Sequence, residues 1–153
     1  MHSDITSMKE RHHGADIAQW AEHVSRSDGH ALRHRVALVV DDEADSREAL
    51  AILLSWSGHE VYQASDGEQA LTAAERYRPE LIFLDIGMPE LNGYDVCKRL
   101  RNSTLFKDAR IIALSGFTGE LHQTRCSEAG FDALLTKPLD PAELERLTAV
   151  RSS

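Results

Sequence analysis

The sequence predicts an α/β fold: a doubly wound sandwich on a five-stranded parallel sheet with strand order 2-1-3-4-5. Three observations predict it. Short apolar runs alternate with longer helix-like stretches, as in parallel sheets covered by helices. The run LIFL at 81–84 is continuously apolar, which is typical of a strand buried on both faces. Right-handed crossovers then leave the doubly wound sandwich as the simplest topology.

Five segments are predicted as strands because each is a short, mainly apolar run followed by a helix-like stretch. They are residues 36–40, 60–64, 81–84, 110–114 and 131–135.

Five helices are predicted between and after these strands, and their ends carry recognisable signals. The first, over 46–57, stops at Gly58, a favourable residue for ending a helix. The second, over 67–78, follows Asp66 as N-cap and precedes a proline. The others are predicted over 93–102, over 119–129 up to Gly130, and from Asp140-Pro141 to about Val150.

Polar side chains follow four of the predicted strands. Asp41 and Asp42 follow the first, Asp85 the third, Ser115 the fourth and Lys137 the fifth. Any one of them alone is an ordinary turn or surface residue. Ligands of such sheets bind outside the carboxyl ends of the strands. Polar residues after four strands, all at this one edge, therefore predict a functional site.

The residue types indicate the chemistry of this site. Three adjacent carboxylates repel one another unless a cation neutralises them. Oxygen ligands without His or Cys favour Mg²⁺ or Mn²⁺ over zinc. A lysine and a hydroxyl opposite the cation suit phosphoryl oxygens, and Asp85 is then a candidate nucleophile.

Composition limits the other classes of function. The chain has 153 residues, 42% of them hydrophobic, which fits one domain with a short appendage. No apolar run approaches the ~18 residues of a membrane span and no signal peptide is evident, so we expect a cytoplasmic protein. Cys97 and Cys126 are expected to be reduced thiols rather than a disulfide. The net charge of −8 falls entirely in residues 36–153, which argues against direct nucleic acid binding.

Four motifs carry a family resemblance: VALVVDDE at 36–43, LIFLDIGMPELNG at 81–93, IIALSG at 111–116 and LLTKPLD at 134–140. In this order and spacing, the segment from 36 to about 150 resembles the response-regulator receiver domains of two-component signalling, which have a flavodoxin-like fold.

The resemblance implies a metal site at this edge. Asp41 and Asp42 look like the acidic pair of receivers, with Asp42 as the direct ligand. Asp85 and the backbone carbonyl of Gly87 would complete the protein's share of the Mg²⁺ or Mn²⁺ coordination.

The resemblance also implies the groups that handle the phosphoryl group. Asp85 looks like the phosphoacceptor, Ser115 the switch hydroxyl and Lys137 the phosphoryl-binding lysine. Receivers usually have a cis peptide bond before the following proline, here Lys137-Pro138.

The implied partner is a sensor histidine kinase or a histidine phosphotransfer protein, with signalling by protein contact or onward phosphotransfer. No membrane partner is expected, and a homodimer is left open. The loop MPELNG and the segment GFDALLTKPLD resemble receivers attached to hybrid histidine kinases. Because the sequence stops at Ser153, about where the fifth helix is predicted to end, we expect no output domain.

The alternative is an enzyme, a Mg²⁺-dependent phosphatase with an aspartate nucleophile. Such phosphatases have a second Asp, a general acid, two residues after the nucleophile. Gly87 occupies that position and cannot transfer a proton, so the receiver, which catalyses only its own phosphorylation and dephosphorylation, is favoured.

Two departures from receivers affect signalling. Receivers often have an aromatic residue three positions before the lysine, where this chain has Leu134, while Phe131 is expected in the core. Gly87 and Phe117 occupy positions where polar side chains of receivers align the hydrolytic water, which predicts slow self-dephosphorylation.

Residues 1–35 are predicted to be a partly disordered extension. The segment has six of the eight histidines, without the spacing of a metal site. Within 16–25, a stripe formed by Ile17, Trp20, Ala21 and Val24 indicates a short amphipathic helix. So short a helix needs a docking surface, on the receiver, on a second protomer or on a partner.

Overall fold

The structure is a computed structural model that describes residues 35–116 and 120–148, without the side chains of 120–122. Residues 1–34 of the extension, with its predicted helix over 16–25, lie outside the described residues. The same is true of Phe117 and of Val150, the predicted end of the last helix. These predictions therefore stay predictions.

The five predicted strands form one sheet in which every neighbouring pair is parallel. The strands are β1 (Val36–Val40), β2 (Glu60–Ala64), β3 (Leu81–Asp85), β4 (Arg110–Ser115) and β5 (Ala133–Thr136). Their order is β2-β1-β3-β4-β5, which confirms the predicted topology.

Four helices connect successive strands and a fifth follows the last strand, as predicted for a doubly wound sheet. They are α1 (Ala44–Trp56), α2 (Gly67–Tyr77), α3 (Gly93–Arg101), α4 (Glu120–Ala129) and α5 (Pro141–Thr148), with a 3₁₀ turn at Thr104–Phe106. Asp66 caps α2 through a bond to the Gln69 N–H, as predicted. None of the described helices is long and apolar enough to cross a membrane.

Three strands end one residue later than predicted: β3 at Asp85, β4 at Ser115 and β5 at Thr136. Asp85 pairs with Leu114 in the ladder, and Ser115 pairs with Thr136. Both polar residues are therefore the last residues of their strands, where backbone pairing with neighbouring strands restricts their position.

The fifth strand begins later than the predicted residue 131. Gly130 adopts a left-handed conformation with φ of 104°, and the N–H of Phe131 donates to the carbonyl of Cys126. Phe131 thus still belongs to the closing turn of α4, and extended pairing begins at Ala133. The side chain of Phe131 lies in the core, as predicted.

The first helix begins earlier than predicted and the second ends earlier. The carbonyl of Glu43 accepts from Arg47, which starts α1 at Ala44 rather than 46. Arg78 adopts a left-handed conformation with φ of 50°, which ends α2 at Tyr77 before Pro79.

The core lies on both faces of the sheet, and β3 contributes to both. Leu81 and Phe83 pack with the side chains of α1 and α5, whereas Ile82 and Leu84 pack with those of α2, α3 and α4. All four are 0% exposed, and burial of each such side chain contributes about 1.5–3 kcal/mol. The strand that carries Asp85 is therefore held from both sides.

Cys97 and Cys126 are buried free thiols, as the sequence predicts. Burial raises the pKa of Cys97 to about 12, so its reactive thiolate is scarcely populated near neutral pH.

Arg101, at the end of α3, holds together the sheet edge opposite the carboxyl ends of the strands. Its guanidinium donates to the carbonyls of Gly130, Phe106 and Ala109 at 2.8–2.9 Å. It also pairs with Asp132 at 2.8 Å. One side chain thus connects the ends of α3 and α4 to the segments that begin β4 and β5.

Candidate functional site

The three predicted acidic residues meet at the carboxyl edge of the sheet. Each of Asp41, Asp42 and Asp85 offers a carboxylate oxygen, and these oxygens lie within 4.8 Å of one another. Asp41 is 1% exposed, the side chain of Asp85 is 15% exposed, and Asp42 is exposed to solvent. The topology brings them together because β1 and β3 are neighbours in the sheet.

Lys137 reaches the same cluster from the other side. Its Nζ lies 2.8 Å from Oδ2 of Asp41 and 3.4 Å from Oδ2 of Asp85. Its backbone N–H donates to the carbonyl of Ser115 at 2.8 Å, so the backbone after β5 continues to pair with β4. The Lys137-Pro138 bond is cis, as predicted.

Ser115 lies beside Asp85 at the edge of the sheet and is 2% exposed. It lines a cleft together with Asp85, Gly87 and Lys137. Every side chain predicted from the sequence for this site is therefore at the cluster or in the adjoining cleft.

The local turn after β3 orients Asp85. Its Oδ1 accepts from the N–H of Gly87 at 2.8 Å, which leaves Oδ2 directed towards Lys137. The start of α3 packs closely behind it. A Cβ added at Gly93 would lie 2.6 Å from the Asp85 carbonyl oxygen, so only glycine allows this approach.

The three charged groups respond differently to burial. Burial would raise the pKa of Asp41, but hydrogen bonds from Lys137 and the Glu43 N–H outweigh it, and the pKa lies below its ordinary value. Burial raises the pKa of Asp85, and Asp41 adds to the rise, against the opposing effects of the Gly87 N–H and Lys137. The protein alone therefore stabilises the charge of Asp85 less than that of Asp41.

The pKa of Lys137 also reflects this arrangement. Burial would lower it, but the hydrogen bond to Asp41 and the charge of Asp85 keep it above its ordinary value. Lys137 thus stays protonated, yet one lysine faces three carboxylates.

A hard divalent cation fits this donor set. The cluster offers carboxylate oxygens with no nitrogen or sulfur ligand among the described residues, and it carries uncompensated negative charge. Of the predicted ligands, Asp41, Asp42 and Asp85 are close enough to share one ion. The role of the Gly87 carbonyl stays a prediction.

Several residues of the cleft were not identified from the sequence as site residues, and two of them contact each other. Tyr94 and Arg125 line it, and the guanidinium carbon of Arg125 lies 4.1 Å from the centroid of the Tyr94 ring. Neither residue belongs to the four motifs that carry the receiver resemblance. No local pattern signals their contact, because it depends on how α3 packs against α4.

Phe131 lies beside Tyr94 in the core, and Leu134 occupies the position where receivers often have an aromatic residue. Phe131 meets Tyr94 edge to face, with ring centroids 6.3 Å apart. Leu134 is half-buried and packs against the same core cluster.

Comparison with known proteins agrees with this geometry. Residues 37–149 match the family described as "Response regulator receiver domain". The chain belongs to this family. The receiver is similar to chemotaxis protein CheY4 of Vibrio cholerae, with a TM-score of 0.71 and 29% identity over 74% of this chain and 95% of that chain.

Two further relatives extend the comparison. The receiver domain of sensor histidine kinase PA1611 from Pseudomonas aeruginosa, described with a magnesium ion in its active site cleft, has a TM-score of 0.69. It is 30% identical over 76% of this chain and 95% of that chain. The probable transcriptional regulator ycf27 of Cyanophora paradoxa is 43% identical over 114 residues, 74% of this chain and 46% of that protein. The receiver thus spans less than half the length of that curated relative.

Proposed function

We propose that this receiver takes a phosphoryl group from a phosphohistidine partner onto Asp85. The partner is a sensor histidine kinase or a histidine phosphotransfer protein. The supporting observation is the setting of Asp85. One of its oxygens accepts from the Gly87 N–H, the other faces Lys137, and Asp41 and Asp42 lie beside it.

The transfer is a displacement at phosphorus. An oxygen of Asp85 forms the new O–P bond as the P–N bond of the phosphohistidine breaks, and the electron pair stays on the imidazole nitrogen. Lys137 contributes positive charge where the phosphoryl oxygens become concentrated, and it is already within 3.4 Å of Asp85. We assign Ser115 as the hydroxyl that binds a phosphoryl oxygen after transfer.

The acidic cluster is the proposed site for Mg²⁺ or Mn²⁺. Asp41, Asp42 and Asp85 would hold the ion, together with the carbonyl of Gly87. When bound, the ion neutralises charge on the phosphoryl oxygens. The oxygen-only donors and the raised pKa of Asp85, caused chiefly by burial, support this assignment.

The proposed output is protein contact or onward phosphotransfer. The names of several relatives describe transcriptional regulators, but this chain matches less than half of each of them. Direct nucleic acid binding by residues 36–153 is not proposed, because their net charge is −8.

Incubation with phosphoramidate and Mg²⁺ should add one phosphoryl group to the protein, measured by intact mass. Chelation of Mg²⁺ should suppress the addition, because the crowded carboxylates then repel the donor. A folded protein that gains no mass with Mg²⁺ present would contradict the proposal. Sustained turnover of p-nitrophenyl phosphate would favour the phosphatase alternative instead.

The phosphorylated state should be long-lived, because Gly87 has no side chain with which to orient a hydrolytic water. A Cβ added there would meet only Oδ1 of Asp85, at 3.4 Å, so Asn can be accommodated. The double variant Gly87→Asn with Phe117→Glu should lose its phosphoryl group about 10-fold faster if ~1.4 kcal/mol of water alignment is restored. The measurement is the decay of phosphorylated protein after donor removal. Rapid decay of the wild type, with no gain in the double variant, would refute the idea.

A further inference from the structure

Arg125 holds a positive charge at the wall of the phosphorylation cleft. It lies on α4, is exposed to solvent, and lines the cleft together with Asp85 and Lys137. Its guanidinium rests on the ring of Tyr94, 4.1 Å from the centroid. Tyr94 is 6% exposed and lies in the first turn of α3.

In its contacts with the described residues, Arg125 uses its charge but not its hydrogen-bonding capacity. A guanidinium has five N–H donors in a planar fork that matches two phosphoryl oxygens, whereas a ring face accepts only the charge. Among the described residues, no acidic side chain forms an ion pair with Arg125. A cation–π contact at an exposed site is weak, so a stronger anionic partner can displace it.

The net charge of the acidic cluster indicates when an anionic partner for Arg125 forms. Three carboxylates and Lys137 carry a net charge of −2, which a divalent cation brings to zero. Phosphorylation replaces the Asp85 carboxylate by a group of charge about −2, so the cluster becomes negative again by about one unit. Among the described residues that line the cleft, Arg125 is the one cation besides Lys137 that could compensate this charge.

We propose that Arg125 is a second phosphoryl-binding cation of this receiver. It is held on Tyr94 before phosphorylation and turns to the phosphoryl oxygens afterwards. The inference rests on the proposed phosphorylation of Asp85. Because Arg125 belongs to α4 and Tyr94 to α3, its movement changes the contact between these two helices.

The test uses beryllofluoride, which imitates a phosphoryl group on an aspartate, with Mg²⁺ and the full chain. Arg125→Gln should weaken the apparent affinity for beryllofluoride about fivefold or more, and Arg125→Lys, which keeps the charge but not the fork, should weaken it less. The matched control is Arg76→Gln. Arg76 also lies over a tyrosine, Tyr77, at 5.5 Å, but at the end of α2 away from the cleft. The affinity of the Arg76→Gln variant for beryllofluoride should equal that of the wild type.

A second readout is the NMR signal of the Arg125 side chain in the wild-type protein. A variant is needed only to assign this signal to Arg125. In the wild type, the Nε–H resonance of Arg125 should move from a ring-shifted position to that of a hydrogen-bonded guanidinium when beryllofluoride binds. The resonance of Arg76 should stay in place. Unchanged affinity in Arg125→Gln, or an unmoved Arg125 resonance in the saturated wild type, refutes this inference alone. A folded wild type that binds no beryllofluoride refutes the proposed function, and the inference with it.

Discussion

Asp85→Asn should abolish phosphorylation of the protein by phosphoramidate and by any phosphohistidine partner. The amide has nearly the same shape as the carboxylate. Its oxygen can still accept from the Gly87 N–H, which lies 2.8 Å from Oδ1 of Asp85 in the wild type. The amide is a poor nucleophile, however, and carries no charge with which to share a cation. Intact mass after incubation with donor and Mg²⁺ measures the effect.

The control for this variant is Asp95→Asn. Asp95 is an exposed carboxylate in the first turn of α3, close in sequence but outside the acidic cluster. It should be phosphorylated like the wild type. Labelling of Asp85→Asn at the wild-type level would show that another side chain is the phosphoacceptor.

Loss of phosphorylation in Asp85→Asn should not come from loss of the fold. The pKa of Asp85 is raised, chiefly by burial and further by Asp41, so its charge is unfavourable in the metal-free protein. Lys137 keeps its 2.8 Å ion pair with Asp41 in the variant. Thermal unfolding without Mg²⁺ should therefore show a stability equal to or above that of the wild type.

Arg101→Ala should lower the free energy of unfolding by about 3 kcal/mol. The guanidinium donates to three backbone carbonyls and to Asp132, and its side chain is only 21% exposed. Asp132 in turn accepts from the N–H of Ile111 at 2.8 Å, which links the start of β5 to β4. Truncation removes the donors and leaves these acceptors partly buried. Urea unfolding followed by circular dichroism measures the change.

Arg99→Ala is the matched control because it removes the same side chain from the same helix. Arg99 is 57% exposed and lies 3.8 Å from Glu68, an exposed ion pair that contributes little. Its loss should cost no more than about 0.5 kcal/mol. A cost for Arg101→Ala within the error of the Arg99→Ala value would show that the Arg101 contacts do not stabilise the fold.

The sequence alone determined the fold and the carboxylate, hydroxyl and lysine side chains of the site. The alternation of apolar runs with helix-like stretches leaves few topologies once crossovers must be right-handed. In a parallel sheet the carboxyl ends of all strands lie at one edge, so residues placed there by sequence position meet in space. This reasoning located Asp41, Asp85, Ser115 and Lys137 without knowledge of any contact.

Only the tertiary structure decided which neighbours the long basic side chains contact. Lys137 binds Asp41 more closely than Asp85, at 2.8 Å against 3.4 Å, and this difference depends on burial and rotamers rather than on sequence position. The contacts of Arg101 and Arg125 likewise depend on how α3 packs against α4 and the sheet. These contacts join residues far apart in the chain, and each long side chain can reach several neighbours. Helical periodicity specifies which face of a helix is buried, whereas close packing in three dimensions selects the partner.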